Sequence, residues 1–480
     1  MTKVLMVASE ATPFAKTGGL ADVIGSLPRA LRAQGDEVAV VLPRYRSISL
    51  QGLQRVYNDL PVWLGNTGYP VTVYLAHNAD VPFYLIDCPS LYDRDGLYSS
   101  NGKDYPDNAI RFAVLSMAAL SIVRHIFRPQ VLHVHDWQAS LVPVYVRRLF
   151  DLDPTFIGIR TLLTIHNLGY QGRFGREVLP QIGLDEGVWH PNGMEFYGDL
   201  NFLKGGIVYS DAVSTVSPRY AQEIQTPEFG FGLDGLLRQR SDVLTGIVNG
   251  VDYNEWNPET DELLPAKYSA DDLSGKRLCK QELLKEFGLP LDHLDRPVIG
   301  IVSRFARQKG FDLIAQVADD IAAEDLSLIV LGTGEPQYEQ MFRDLAWKYP
   351  QKVAVRVTYS NRLAHLIEAG SDMFLMPSRY EPCGLNQIYS LRYGTIPLVR
   401  ATGGLDDTIE DGTGFKFWDY SGHAMLQMIR HALGVYKNRQ EWLRMMRLAM
   451  QKDFSWDASA ARYSALYTSL TGFSAASNTA

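Results

Sequence analysis

From residue 297 onward, short apolar runs alternate with amphipathic stretches. Residues 298–302, 326–331, 353–357 and 373–376 have strand length and composition, and residues 311–323, 337–348, 363–369 and a stretch from 385 have helical periodicity. A short strand that is apolar throughout needs cover on both faces, and intervening helices supply it. The pattern predicts an α/β fold with a doubly wound parallel sheet. The first half opens the same way. Residues 4–8 read as a strand, 20–33 as a helix closed by Gly35, and 37–42 as the next strand. Further strands are expected at 71–76, 83–86, 131–134, 161–165 and 212–216. A chain of 480 residues exceeds the ~250–300 residues at which one apolar core stops growing, so two doubly wound domains are expected, one in each half. The Gly-, Asn- and Pro-rich segment 246–258 (GIVNGVDYNEWNP) is the candidate crossover, and two more helices are expected at 441–451 and 458–470.

Composition narrows the function. Apolar residues make up 46% and charged residues 21%, an ordinary globular balance. The net charge of −8, with no dense Lys/Arg run, argues against a nucleic-acid partner. Cys88, Cys279 and Cys383 lie far apart and form no CxxC, which supports neither a disulfide framework nor a zinc knuckle and fits a reducing cytoplasm. The apolar run 112–123 falls short of the ~18 residues that suggest a membrane span and reads as a buried helix. The opening MTKVLMVASE has too short an apolar stretch for a secretory signal and reads as the first strand. A cytoplasmic protein without a membrane partner is expected, and no feature fixes its oligomeric state.

Several loops at predicted strand ends carry chemistry. Lys16-Thr17-Gly18-Gly19 joins the first strand to the first helix. Its glycines let a ligand approach the backbone, and the helix N-terminus offers N–H groups. It reads as a phosphate or sugar-hydroxyl site, or as a tight turn with a solvated lysine. Arg304 and Lys309 follow the strand at 298–302 and suit a diphosphate, whose growing charge they would stabilise without a metal. Glu381 follows the strand at 373–376, where a carboxylate holds sugar hydroxyls, opposes an oxocarbenium charge, or simply favours a helix dipole. Thr402-Gly403-Gly404 is another anion-compatible turn, and TGGLDDTI there echoes TGGLADVI at residues 17–24. His133 and His135 read as alternating strand histidines rather than a metal pair, since no third ligand is obvious. Trp137 is a candidate pyranose platform, and His166 and Asn167 are candidate partners of sugar hydroxyls, each against a reading as packing. Cys383 reads as a packing residue.

KTGGLADV, HDWQ, TIHNLGYQG, SRFARQKG, PSRYEPCGLNQ and RATGGLDDT occur in this order and together resemble the bacterial glycogen synthase and plant starch synthase family from residue 4 to residue 456. The resemblance implies a GT-B fold, with two Rossmann-like domains facing across a deep cleft. It implies residues 1–245 as the acceptor-side domain, 246–455 as the nucleotide-sugar domain, and 456–480 as a helix returning to the first domain. The implied reaction is retaining transfer of glucose from ADP-glucose to the non-reducing end of an α-1,4-glucan such as glycogen, with no cofactor and no metal. By motif, Lys16, Gly18, Gly19, Asn249, Arg304, Lys309, Tyr359, Cys383, Gly384, Leu385, Thr402, Gly403 and Gly404 would contact the donor, with Tyr359 stacking on adenine. Glu381, His166, Lys309 and Arg304 would carry catalysis, and Asp22, Asp136, Trp137 and Asn167 would line the acceptor side. Two positions depart from common patterns. Gln138 stands where the family often has histidine, and Tyr389 stands where many related transferases have a second glutamate. The alternatives are a UDP-glucose-dependent transferase for a small acceptor, and a non-catalytic sugar-binding protein on the same fold. A degenerate binder is expected to lose Glu381 or the cation pair, and this chain keeps both.

Overall fold

The first apolar run forms β1 (Lys3–Val7), in which every residue after Lys3 is fully buried. This computed structural model describes residues 1–100 and 102–472. The first sheet continues with β2 (Glu37–Pro43), β3 (Gln54–Leu64), β4 (Thr67–Asn78), β5 (Val81–Asp87), β6 (Val131–His135), β7 (Arg160–Ile165), β8 (Ala212–Thr215) and β9 (Leu244–Gly246). Its spatial order is β9-β8-β7-β6-β1-β2-β5-β4-β3. Strands β9 through β5 in that order are parallel, whereas β4 and β3 run antiparallel as an edge hairpin. That edge departs from the purely parallel sheet expected from sequence. Strand β3 was not anticipated because only Leu60, Val62 and Leu64 face the core, while its first half is largely polar and solvent-facing. Chain order reverses between β6 and β1, so the crevice at their C-terminal ends is the ligand position of an open α/β sheet.

The helix after β1 is α1 (Gly19–Ala33), which buries Leu20, Val23, Ile24, Leu27 and Leu31 on one face. Gly35 follows it at φ 97°, the left-handed conformation that ends a helix without a Cβ penalty. The apolar run 112–123 lies in α2 (Asn108–His125), which is buried on nearly all sides. Among the described residues, no helix is long and apolar enough to cross a membrane.

The second sheet contains β10 (Val298–Val302), β11 (Ser327–Gly332), β12 (Val353–Val357), β13 (Met373–Met376), β14 (Ile396–Arg400) and β15 (Phe415–Phe417). Its order is β12-β11-β10-β13-β14-β15, all parallel, with the reversal between β10 and β13. Around it lie α3 (Asn361–Gly370), α4 (Asn386–Arg392), α5 (Gly403–Thr408) and α6 (Arg439–Met450). The helix expected at 311–323 breaks into Phe311–Gln316 and Ala318–Ala323 at Val317, whose φ of −132° is not helical.

Chain contacts divide the molecule into two units. The first comprises Met1–Val216, Ala221–Gly250 and the chain from Trp456, and the second Ser217–Tyr220 with Val251–Ser455. The first boundary falls after Gly250 rather than after residue 245. Strand β9 pairs with β8 through Gly246, and the Ile247 amide still bonds to Thr215 of that strand (2.8 Å). The last helix, α7 (Trp456–Gly472), packs on α1 within the first unit. It buries Trp456, Ala460, Tyr463 and Tyr467, and Tyr467 Oη lies 2.8 Å from His133 Nδ1 under the sheet. Tyr467→Phe strands a fully buried ring nitrogen and is expected to cost about 1–2 kcal/mol in thermal unfolding. An unchanged melting temperature would show that the contact contributes nothing.

Candidate functional site

The second sheet brings its chemistry to the C-terminal ends of β10 and β13. Gly310 (φ 74°) lies so close to the chain after β13 that a Cβ would sit 1.9 Å from the Pro377 carbonyl oxygen. Arg379 N–H donates to Gln308 O (2.8 Å) and ties the two loops together. This close approach delivers Lys309, whose Nζ lies 2.7 Å from Glu381 Oε2. Ser378 Oγ donates to the same oxygen at 3.0 Å, so the carboxylate, only 6% exposed, is held in one orientation. Arg304 is exposed at the same strand end. Tyr359, after β12, is 81% exposed, a free-standing ring available for stacking.

The glycines of the two TGGL motifs do different work. At Gly18 and Gly19 a Cβ would meet nothing within 4 Å, so open space lies above that loop. Gly403 (φ 46°) and Gly404 instead press on the Glu381 loop, where a Cβ would come 1.9 Å from Glu381 O and 2.1 Å from Cys383 O. Gly404 N–H already donates to Glu381 O (3.1 Å). The Gly404 amide is thus taken within the protein, and the turn with buried Thr402 buttresses the Glu381 loop. Cys383 is buried as expected of a packing residue, and Gly384 (φ 72°) and half-buried Leu385 lead into α4.

In the first unit, sequence reasoning overlooked Glu10. Its buried carboxylate accepts from Thr17 N (2.5 Å), Thr17 Oγ1 (2.6 Å), Gly18 N (3.1 Å) and Tyr98 Oη (2.5 Å). The amides read as an anion site are therefore partly taken by an internal carboxylate that shapes the loop. The signal was an acidic residue three positions beyond an apolar strand. Lys16 is exposed and pairs with Asp22 at 2.6 Å. Burial raises the Asp22 carboxyl, and the Lys16 charge opposes the shift.

At the ends of β6 and β7, Asp136 adopts φ 56° and turns its carboxylate onto the His166 amide (2.7 Å). Burial pushes that carboxyl up to about 7 against the amide hydrogen bonds. His166 Nε2 lies 3.0 Å from His135 Nδ1, and burial holds the His166 imidazole down to about 3, so it is neutral at pH 7. The Asn167 side chain accepts from Gly169 N (3.0 Å) and closes its own turn. Trp137 is half-buried. It meets Phe112, Phe174 and Phe202 at 4.9–6.4 Å, and Gly172 lies against its ring. These contacts fix the ring in place. Asn249 is buried beyond β9, and among the described residues its Oδ1 has no hydrogen-bond partner.

A family model described as the starch synthase catalytic domain matches residues 3–239, and one for glycosyl transferases group 1 matches residues 290–444. A glycogen synthase of Koribacter versatilis is 52% identical over 472 residues, covering 97% of each chain. The chain belongs to the glycogen and starch synthase family. A glycogen synthase of an Anaeromyxobacter species is 49% identical, over 98% of this chain and 99% of its own. Among solved structures, the catalytic domain of starch synthase IV from Arabidopsis thaliana, bound to ADP and acarbose, matches with a TM-score of 0.90 at 32% identity, over 98% and 99% of the two chains. Sucrose-phosphate synthase from Thermosynechococcus elongatus shares the fold at 18% identity and a TM-score of 0.62, over 99% and 100% of the two chains. The chain is thus a glycosyltransferase of GT-B architecture, built from two Rossmann-like units. Two positions singled out in the sequence, Gln138 and Tyr389, are packed within their units. Gln138 is buried. Tyr389 stacks on Trp256 (3.9 Å, 4°), whose ring also stacks with His365 (3.8 Å, 15°), so that position anchors the segment entering the second unit.

Proposed function

We propose that this enzyme moves glucose from ADP-glucose to the non-reducing end of an α-1,4-glucan, with retention and release of ADP. The observation that carries the reading is the Lys309–Glu381 pair (2.7 Å) at the reversal point of the second sheet, with Arg304 at the same strand end. Two cations there can neutralise charge on a departing diphosphate, and a fixed carboxylate can face the glucose they release. Tyr359 offers its exposed ring to the adenine. Lys16 and Asn249 supply donor contacts from the first unit, and His166, Asp136 and Asn167 stand on the acceptor side. A neutral His166 donates or accepts hydrogen bonds to sugar hydroxyls and leaves charge stabilisation to Lys309 and Arg304. The ADP seen with starch synthase IV supports adenine as the donor base, and the glycogen synthases at about half identity support a glucan acceptor.

Water must be kept from the activated sugar, which it would otherwise hydrolyse. The reaction takes place in the cytoplasm. Because the protein's own cations carry the diphosphate charge, catalysis proceeds without a divalent metal. Purified enzyme given glycogen is expected to release nucleoside diphosphate from ADP-glucose in preference to UDP-glucose, at an undiminished rate in EDTA. Preference for UDP-glucose with a small acceptor would favour the alternative transferase. Loss of activity in EDTA, restored by magnesium, would refute the metal-free step.

A further inference from the structure

The second sheet carries a cavity at the edge opposite Lys309 and Glu381. Its volume is about 490 Å³, and it lies where Pro297 leads into β10 and Asp372 leads into β13. The helices Ser274–Glu286 and Gly422–Tyr436 wall it, and α6 reaches it at Arg439 and Met446.

Charge in this cavity does not balance. Four carboxylates line it, and each has a cation of its own: Asp295 with Arg277 (2.7 Å), Asp372 with Lys280 (2.7 Å), Glu324 with Arg430 (2.7 Å) and Asp325 with Arg296 (2.9 Å). Lys276, Lys437 and Arg439 line it as well, and none of them pairs with a carboxylate among the described residues. The Lys276 ammonium is buried and donates to neutral oxygens only, Ala369 O (2.9 Å), Tyr393 O (3.0 Å) and Thr395 Oγ1 (2.7 Å). Burial pushes it down to about 8. Lys437 and Arg439 are exposed. Asp295 registers the excess. The hydrogen bond from Arg277 holds its carboxyl below the usual carboxylate range, and the charges of Lys280 and Arg439 add to the effect. Such a concentration of uncompensated cations, in a chain of net charge −8, attracts an anion. Leu294, Leu433 and Met446 give the same cavity an apolar wall.

We propose that this cavity binds a phosphate monoester, with its phosphate between Lys437 and Arg439 and its organic group against Leu294, Leu433 and Met446. A phosphate monoester carries about −1.5 to −2 charges at neutral pH, which two cations match. Its oxygens can accept from a guanidinium fork and an ammonium together. The site is separate from the donor position, because Arg304, Lys309 and Glu381 follow the opposite ends of β10 and β13.

Phenyl phosphate is a suitable probe. Titrated into the full chain in a calorimeter, it is expected to show a component with a Kd of about 1 mM or tighter. The Lys437→Ala, Arg439→Ala double variant should weaken that component at least about tenfold. Both residues are exposed, so its melting temperature and its turnover without the probe should match the wild type. Wild type and variant both retain Arg304 and Lys309, so the difference between their titrations isolates this cavity. Lys437→Arg is expected to keep the binding. Succinate, a dianion of different geometry, is expected to bind at least about tenfold more weakly than phenyl phosphate. Identical titrations of wild type and double variant would overturn the site. Succinate binding as tightly as phenyl phosphate would overturn its assignment to a phosphate.

Discussion

Lys309→Ala is expected to turn over about 10²–10³ times more slowly than wild type, with little change in KM for glycogen. Charge on the diphosphate grows as the glycosidic bond breaks, so a cation there stabilises the transition state more than the ground state. The structure adds a second consequence. Lys309 Nζ sits 2.7 Å from Glu381 Oε2, and the carboxylate is nearly buried, so the variant also leaves Glu381 without its ionic partner. A partner lost from a buried pair is typically worth a few kcal/mol of stability. Melting temperature and turnover together separate the two effects. If the lysine served only the fold, the variant would melt earlier yet react at the wild-type rate per folded molecule. If it serves the reaction, turnover falls even well below the melting point. Glu381→Gln keeps the shape and the Ser378 hydrogen bond but removes the charge, and should also fall by at least about 10²-fold. The double variant is expected to be little slower than the worse single one, because the two side chains act as one unit.

Much of this site was legible because parallel α/β sheets gather their strand ends at one edge. Apolar runs locate the strands, so residues just after them are candidates without any knowledge of packing. Arg304, Lys309, Glu381 and His166 were found in that way. What sequence could not give was direction. The two TGGL motifs look alike, yet Gly18 and Gly19 lie under open space while Gly403 and Gly404 are jammed against the Glu381 loop. Which neighbour a glycine accommodates depends on tertiary approach, not on its own motif. Trp137 follows a strand and is legible as a site candidate, but its packing on Phe112, Phe174 and Phe202, all distant in sequence, is not. Glu10 was missed for the converse reason. A lone carboxylate in a loop is usually solvated, and only folding brings Tyr98 and the Thr17 and Gly18 amides around it.

His133→Gln is expected to flatten the acid side of the stability profile. His133 is fully buried, with Nδ1 2.8 Å from Tyr467 Oη and Nε2 2.6 Å from Thr164 Oγ1, and its ring centroid lies 4.1 Å from that of His135. Burial holds His133 down to about 3 and His135 well below its usual value. The sign follows from proton counting. Above pH ~6.5 the histidine is neutral in folded and unfolded chains alike and makes stability independent of pH. Below that, the unfolded chain takes up a proton that the folded chain refuses, so stability falls as pH drops toward the folded value. Each pH unit in this window is worth about 1.4 kcal/mol per histidine, so between pH 6.5 and 5 the wild type should lose about 2 kcal/mol more than His133→Gln. Asp136, raised to about 7, works in the opposite direction, since its folded form binds a proton that the unfolded form gives up. It is present in both proteins, so the difference between them isolates His133. The glutamine variant is expected to start less stable at pH 7.5, having lost the ring that packs on His135, and to approach the wild type as the pH falls. Urea unfolding at pH 7.5, 6.5, 5.5 and 5.0 measures this. Parallel curves would mean that His133 takes up its proton in the folded protein, which requires water or a charge to reach it beneath the sheet.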